Sequence, residues 1–282
     1  ARDWFTACEN GDRDFPDFKY SAVYFAYQSP IRTITLGEDP SVDNSLDNEH
    51  KCQIMATIAG VYENKKNVEI GIRVDNSLCD GYTFESTKGD IMPLPTSHYT
   101  LSDDKIVIKK GQVLGGVTVN LTDAFFNDPK ATELNYVIPV VMTGVQNADS
   151  ILEGKPSVDT PDRVNKEDWE VQSKDYILYA VKYISKYDSH YLRRGVDTYT
   201  GNKTGTEVRH AANVEKDETI GGFSTLGLNK VQWERPTKDA AGKNVEANLI
   251  LTFDESGNCV ITSNTEGVEA NGSGKFVAKG DK

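Results

Sequence analysis

The amino-acid sequence predicts an all-β protein, with an N-terminal immunoglobulin-like sandwich followed by a C-terminal β-barrel or β-sandwich. Apolar residues recur in short runs bounded by Gly, Asp, Asn or Pro, which is the pattern of β-strands. About seven such runs fill roughly the first 145 residues, the number expected of an immunoglobulin-like domain. Residues 147–168 lack any periodicity and contain two prolines, so we place the domain boundary there.

The N-terminal strands follow from local patterns. In Val68–Val74 every second residue is apolar, which predicts one buried face. Pro139 inside YVIPVVM predicts an edge strand or a bulge, because proline cannot donate to a ladder. The single helical candidate is TDAFFND, one or two turns capped by Thr122 and ended by Pro129. The other predicted strands are residues 20–28, 32–36 and 52–61 and the runs KIVIKK and GVTVNL.

The second half of the chain is also rich in strand patterns. Residues 175–187 form a long aromatic-rich strand candidate, and LILTF and CVIT flank DESGN as a hairpin. The runs GGFSTLGL, KVQWE and KFVA supply further strands. We therefore divide the chain into an N-terminal tether (1–18), a sandwich (19–154), a linker (155–174) and a C-terminal β domain (175–282).

Charge excludes two classes of partner. The formal net charge is −12, and residues 1–154 carry −10 of it against −2 for residues 155–282. Nucleic acids and anionic membrane surfaces both need a basic footprint, so neither is expected as a partner. The acidic balance suits neutral or cationic partners, or solubility alone. No apolar stretch approaches the roughly 20 residues of a membrane helix.

The sequence offers no catalytic or metal-binding motif. The four cysteines, Cys8, Cys52, Cys79 and Cys259, form no C-x-x-C pair, and their spacing leaves a Cys52–Cys79 bridge open. The four histidines are scattered, and neither a G-x-S-x-G elbow nor a phosphate loop is present. We expect no enzymatic activity, no metal and no cofactor.

One segment, YISKYDSHYLRRGVD, invites a functional interpretation. Its aromatic faces could stack on sugar rings while arginine forks bond hydroxyl groups. The alternative is a strand end and turn, with Tyr183 and Leu192 in the core and an arginine paired with a buried carboxylate. Trp169 and Trp233 are further candidates for an exposed platform, although each could be half-buried. The predicted ligand-binding residues are Trp169, Tyr187, His190, Tyr191, Arg193 and Arg194.

Longer motifs carry a family resemblance. QSPIRTITLGED, GVYENKKNVEIGIRVDNSL, PLPTSHYTLSDDKIVIKKGQ and VNLTDAFFNDP resemble the N-terminal domain of surface lipoproteins from glycan-utilisation loci of Gram-negative gut bacteria. DYILYAVKYISKYDSHYLRRG resembles the start of the companion C-terminal domain. A related N-terminal domain also accompanies some family-18 endo-glycosidases, but their D-x-x-D-x-D-x-E signature is absent here, so no catalytic residue carries over.

The resemblance implies a role as well as a fold. It implies an immunoglobulin-like domain, a calycin-like or sandwich C-terminal domain, and further strands after FVAKGDK that would complete that domain. It also implies a non-enzymatic protein of the outer membrane, at the cell surface, that binds glycans beside a porin-like transporter and its glycan-binding lid protein. The alternative function is a structural or adhesive surface lipoprotein without a sugar site, in which Tyr187, Tyr191, Trp169 and Trp233 would all be buried.

The resemblance also gives Cys8 an expected role. Ala7 places a small residue before Cys8, as at the end of a lipobox, and the family carries a lipid anchor near this point. Only seven residues precede Cys8, and Arg2 and Asp3 interrupt them, so this stretch cannot itself act as a signal peptide. We expect Cys8 to be the lipidated residue and the single membrane attachment, with an ordinary thiol as the alternative.

Overall fold

The computed structural model describes residues 20–61, 63–214, 216–220 and 223–278, and its regular structure is almost entirely β. The predicted all-β class is therefore confirmed. Cys8 and the tether lie outside the described residues. Among these residues, no helix is long and apolar enough to cross a membrane. The helices are α1 (Ser45–Asn48), α2 (Asp123–Phe126) and short 3-10 turns at Asn76–Cys79, Pro129–Thr132 and Lys166–Asp168.

Thirteen strands precede residue 185 in the described chain. They are β1 (Ala22–Tyr24), β2 (Ile31–Thr35), β3 (Lys51–Ala59), β4 (Val68–Val74), β5 (Met92–Pro93), β6 (Tyr99–Leu101), β7 (Lys105–Ile108), β8 (Leu114–Leu121), β9 (Tyr136–Gln146), β10 (Ser150–Ile151), β11 (Lys155–Pro156), β12 (Trp169–Val171) and β13 (Tyr176–Ile184). All except β11 and β12, which pair with each other, belong to one sheet. Its order is β10-β1-β3-β8-β7-β4-β9-β13-β2, with β5 on β9 and β6 on β8.

This sheet curls around one apolar core, so that its two halves face each other as the layers of a sandwich. Ile54 of β3 and Val119 of β8 come from one half, and Ile138 of β9 and Tyr183 of β13 come from the other. The halves meet where β7 pairs with β8, and there the chains approach closely. A Cβ on Gly115 would lie 2.2 Å from the Val107 carbonyl oxygen, so this position requires glycine.

Pro139 lies in a central strand, which corrects the predicted edge position. Strand β9 runs between β4 and β13. Pro139 lies opposite Asp75, one residue beyond the end of β4, and its carbonyl accepts a hydrogen bond from the Asp75 N–H. The Asp75 carbonyl turns away to accept from Leu78. No ladder acceptor therefore faces the proline nitrogen, and the missing N–H costs nothing here.

The helical candidate forms where predicted, but its cap differs. Thr122 precedes α2 in an extended conformation and makes no side-chain cap. Its hydroxyl instead donates to the Ser97 carbonyl at 2.7 Å and ties α2 to the turn before β6.

Strand β13 corrects the predicted domain boundary. The sequence pattern predicts that residues 175–187 belong to the C-terminal domain. Instead, β13 pairs antiparallel with β9 and parallel with β2, and Val181 and Tyr183 are fully buried in the N-terminal core. The N-terminal sheet therefore extends to Ile184. Because parallel strands cannot be joined by a short hairpin, the partner of β2 lies far from it in the sequence.

The remaining strands form the C-terminal domain. An antiparallel sheet follows the chain in the order β18-β19-β20-β21-β22, and two smaller sheets pair β14 with β17 and β15 with β16. The predicted DESGN hairpin is confirmed between β20 and β21. These strands are β14 (Tyr191–Leu192), β15 (Arg194–Tyr199), β16 (Gly205–His210), β17 (Thr219–Ile220), β18 (Phe223–Gly227), β19 (Lys230–Lys238), β20 (Asn244–Phe253), β21 (Asn258–Ser263) and β22 (Gly272–Lys275).

Ser185 joins the two domains directly. Its N–H donates to the Thr225 hydroxyl at 3.0 Å, and its own hydroxyl donates to the Leu228 carbonyl at 2.9 Å. The Leu228 side chain packs against the N-terminal core. Ser185 is thus buried between the two domains and hydrogen-bonded to the C-terminal sheet.

The buried cysteines are unbridged. Cys52 and Cys79 both carry free thiols and lie in separate core clusters, so the bridge left open by the sequence does not form. Burial raises the pKa of each thiol to about 11. Such thiols are poor nucleophiles at neutral pH and act as core residues.

Candidate functional site

Tyr187 belongs to the core, which contradicts its predicted role as an exposed sugar platform. Only 2% of the residue is exposed. Its ring stacks on Phe253 with centroids 3.8 Å apart, and the edge of Phe276 lies against it. A ring enclosed in this way cannot present a face to a ligand, so Tyr187 anchors the start of the C-terminal domain to β20.

The other predicted residues separate into two groups. Trp169 lies on β12, in the small β11–β12 sheet, and its indole N–H donates to the Asp162 carbonyl at 2.8 Å. His190 is exposed. Arg194 donates to the Ala211 carbonyl across the β15–β16 hairpin. Tyr191 and Arg193, by contrast, converge on one aromatic cluster with residues of β18 and β19.

That cluster consists of three half-buried rings. Tyr191 meets Phe223 edge to face with centroids 5.5 Å apart, and Phe223 stacks on its cross-strand partner Trp233 at 6.1 Å. The guanidinium of Arg193 lies 5.8 Å and that of Arg235 5.3 Å from the Trp233 ring centroid. The cluster therefore combines aromatic rings with forked hydrogen-bond donors, the two properties expected of a sugar-binding surface.

Asp197 organises the arginines around this cluster. Its carboxylate accepts from Arg193 at 2.7 Å, from Arg209 at 2.9 Å and from Arg235 at 3.4 Å. Glu218 bridges Arg193 and Arg209 from the other side. Strand β15 contributes Asp197, β16 contributes Arg209, and β19 contributes Arg235, so the network fastens the hairpin to the five-stranded sheet.

The pKa values reflect this pairing. The hydrogen bond from Arg209, helped by the charges of Arg193 and Arg235, holds the pKa of Asp197 below its ordinary value. The hydrogen bond from Arg193 has the same effect on the pKa of Glu218. Both carboxylates are therefore ionised at neutral pH and lose their charge at a lower pH than an unpaired carboxylate would.

A cleft opens beside the network. Its volume is about 290 Å³. Arg193 borders this cleft and also lies over the Trp233 ring, so it links the cleft to the aromatic cluster, although none of the three rings is among the described lining residues. The lining residues are Arg193, Glu207, Val208, Arg209, His210, Ala211, Asp217 and Glu218.

Several residues of this site are not predicted by the sequence. Trp233 is a candidate from its pattern, whereas Arg209, Arg235, Glu207 and Glu218 are not. A usable signal existed in KVQWERP, because period-2 alternation places Trp233 and Arg235 on the same face of one strand. Arg209 and Glu218 reach Arg193 and Asp197 only because distant strands pair in the folded protein, and local sequence patterns do not encode that pairing.

A second cluster of polar side chains lies in the N-terminal domain, next to β6 and α2. The Ser97 hydroxyl lies 2.9 Å from Nδ1 of His98, whose Nε2 lies 2.9 Å from the Asp128 carboxylate. Tyr136 also donates to this carboxylate, which caps the turn at Lys130 as well. We interpret this hydrogen-bond network as a structural connection between the turn before β6 and the turn after α2.

No group of three metal-ligating side chains occurs in the described part of the protein.

Comparisons with known proteins place the chain in a family. A family model described as an N-terminal domain matches residues 18–149, and one described as a domain of unknown function (DUF5627) matches residues 186–282. The second match begins immediately after β13, which agrees with the corrected boundary. No curated protein matches the chain.

Solved structures from Bacteroides are similar to the chain at two levels. A Bacteroides thetaiotaomicron auxiliary nutrient binding protein aligns with a TM-score of 0.41 at 11% identity, covering 85% of this chain and 70% of its own. A Bacteroides ovatus protein of unknown function aligns with a TM-score of 0.88 at 46% identity, covering 94% of this chain and 84% of its own. The chain therefore belongs to the same two-domain family as this Bacteroides ovatus protein.

Proposed function

We propose that this protein binds glycans at the outer surface of a bacterial cell, without catalysing a reaction, and that a lipid on Cys8 holds it there. The observation that carries the proposal is the position of Arg193, which joins the half-buried Trp233 ring to an open cleft. Sugar rings present apolar faces that stack on aromatic rings and hydroxyl groups that bond charged side chains. The cleft offers the polar partners, and the half-buried Trp233 ring, which contacts Arg193 outside the cleft lining, offers the aromatic one.

The same geometry has a structural interpretation. Arg193, Arg209 and Arg235 are paired with carboxylates, and the network would hold the β15–β16 hairpin even in a protein with no ligand. The burial of Tyr187 favours this second candidate, a structural or adhesive surface lipoprotein. Tyr191, Trp169 and Trp233 remain half-buried, however, whereas that candidate requires all four rings to be buried.

A screen of plant and host glycans by affinity electrophoresis and array tests the proposal. The wild-type protein should bind at least one glycan, and Trp233→Ala should weaken that binding at least tenfold. Trp169→Ala serves as the matched control, because Trp169 lies in a different sheet, and it should bind like wild type. Failure of the wild-type protein to bind any glycan would leave the structural candidate.

The anchor and partners are tested in the native organism. Mass spectrometry of the native protein should find a lipid on Cys8 and no residue upstream of it. An unmodified Cys8 with upstream residues still attached would overturn the anchor. We further propose a porin-like transporter and its glycan-binding lid protein as partners, which co-purification from detergent-solubilised membranes would test.

A further inference from the structure

The cleft carries more carboxylates than cations. Glu207, Asp217 and Glu218 line it, and its only arginines are Arg193 and Arg209 among the described lining residues. The Asp217 carboxylate accepts hydrogen bonds from the backbone N–H groups of residues 212 and 213. These donors are neutral, so they do not offset its negative charge. A ligand in this cleft therefore meets a small excess of negative charge.

Both cleft arginines are already held by carboxylates. Arg209 directs Nε to Asp197, one terminal nitrogen to Glu218 and the other to Glu207 at 3.1 Å. Arg193 directs its two terminal nitrogens to Glu218 and Asp197. An anionic ligand would have to displace these carboxylates before it could form the bidentate pair that arginine makes with carboxylate or sulfate.

Hydroxyl groups meet no such obstacle. A carboxylate oxygen has about two acceptor sites, so each oxygen of Glu218 retains acceptor capacity after its single bond to arginine. A sugar hydroxyl can donate there without removing an arginine.

We infer that the cleft selects neutral, hydroxyl-rich saccharides and rejects saccharides that carry carboxylate or sulfate groups. This inference rests on the proposed glycan-binding function and specifies its ligand class. The selectivity belongs to the cleft itself, because residues 155–282 carry only −2 of the net charge of −12.

Matched neutral and acidic polysaccharides test the inference. The full chain is run through gels that contain dextran, dextran sulfate, methyl-esterified pectin, de-esterified pectin, galactomannan, xyloglucan, alginate or chondroitin sulfate. Neutral members of the panel should bind, and within a bound pair the charged form should bind about tenfold more weakly, through the repulsion of several charges at the surface.

Variants then assign the selectivity to the cleft. Glu218→Gln, and separately Glu207→Gln, should raise the affinity for the charged member relative to the neutral member by roughly threefold, because each removes one of the repelling charges. The control is Glu246→Gln, on the opposite face of β20, which should leave the ratio unchanged. Two variants are used because either could disturb folding, which circular dichroism would reveal.

The outcomes separate the two claims. Equal or stronger binding of an acidic polysaccharide overturns the ligand class and leaves glycan binding intact. A ratio that shifts as much in Glu246→Gln as in the cleft variants also overturns it. Absence of binding to every polysaccharide overturns the proposed function, and the ligand class with it.

Discussion

Tyr187 lies in a segment that has the sequence pattern of a ligand-binding loop, yet its side chain is buried in the core. Its neighbours in sequence are polar, and the segment resembles an exposed aromatic loop. Its ring nevertheless stacks on Phe253 and meets Phe276, both of which follow it by more than sixty residues. Side-chain burial at a strand end depends on these distant partners, so local sequence could not decide between the two roles.

Replacing Tyr187 with alanine should therefore destabilise the protein by about 3–5 kcal/mol, since it leaves a large cavity beside two rings. Tyr27, which is 77% exposed, provides the control, and Tyr27→Ala should change stability by less than about 0.5 kcal/mol. Urea unfolding measures both. Equal stability of the two variants would show that Tyr187 is not packed as described.

Asp197 makes a pH-dependent contribution to stability. Its folded-state pKa is depressed, chiefly by the hydrogen bond from Arg209, so its stabilisation is complete above the unfolded-state pKa of about 3.9. This stabilisation is lost as the pH falls through the folded-state value. Below about pH 5, the melting temperature of wild type should thus fall more steeply than that of Asp197→Asn.

Thermal melts between neutral pH and pH 2 test this difference. Glu246→Gln is the control, because Glu246 lies on the opposite face of β20 from the network, and its profile should follow wild type. Parallel profiles for wild type and Asp197→Asn would contradict the role assigned to Asp197.

At the scale of elements, local patterns predicted strands well and pairings poorly. The alternation in β4 correctly placed Val68, Ile70 and Ile72 in the core, and Gly257 with its positive φ completed the DESGN turn. Strand β13 was found in sequence but assigned to the wrong domain. Its parallel pairing with β2 spans about 150 residues, and no periodicity within either strand encodes that distance.

The corrected boundary predicts how truncated chains behave. A chain that ends at residue 185 retains β13 between β9 and β2, so it should unfold in one cooperative transition. A chain that ends at residue 174 lacks Val181 and Tyr183 and should not fold cooperatively. Circular dichroism melts distinguish them, and equal cooperativity in both chains would contradict the assignment of β13 to the N-terminal sheet.

At the scale of the whole molecule, most of the negative charge and the candidate site lie in different domains. The N-terminal domain carries most of the negative charge and follows the segment that contains Cys8, while the C-terminal domain carries the aromatic cluster and the cleft. Composition predicted the absence of a basic surface. The candidate site could be predicted only in part, because Tyr191 and Arg193 lie two residues apart in the sequence, whereas Arg209, Glu218 and Trp233 reach them through folding.

Fluorine NMR tests the glycan-binding account most directly. The chain has three tryptophans, so 5-fluorotryptophan labelling gives three resonances, and Trp233→Phe identifies the one at the cluster. On titration with a neutral polysaccharide that binds in the gels, the Trp233 resonance should shift and saturate while the Trp169 resonance stays in place. A saturating shift of Trp169 with Trp233 unmoved would contradict the account.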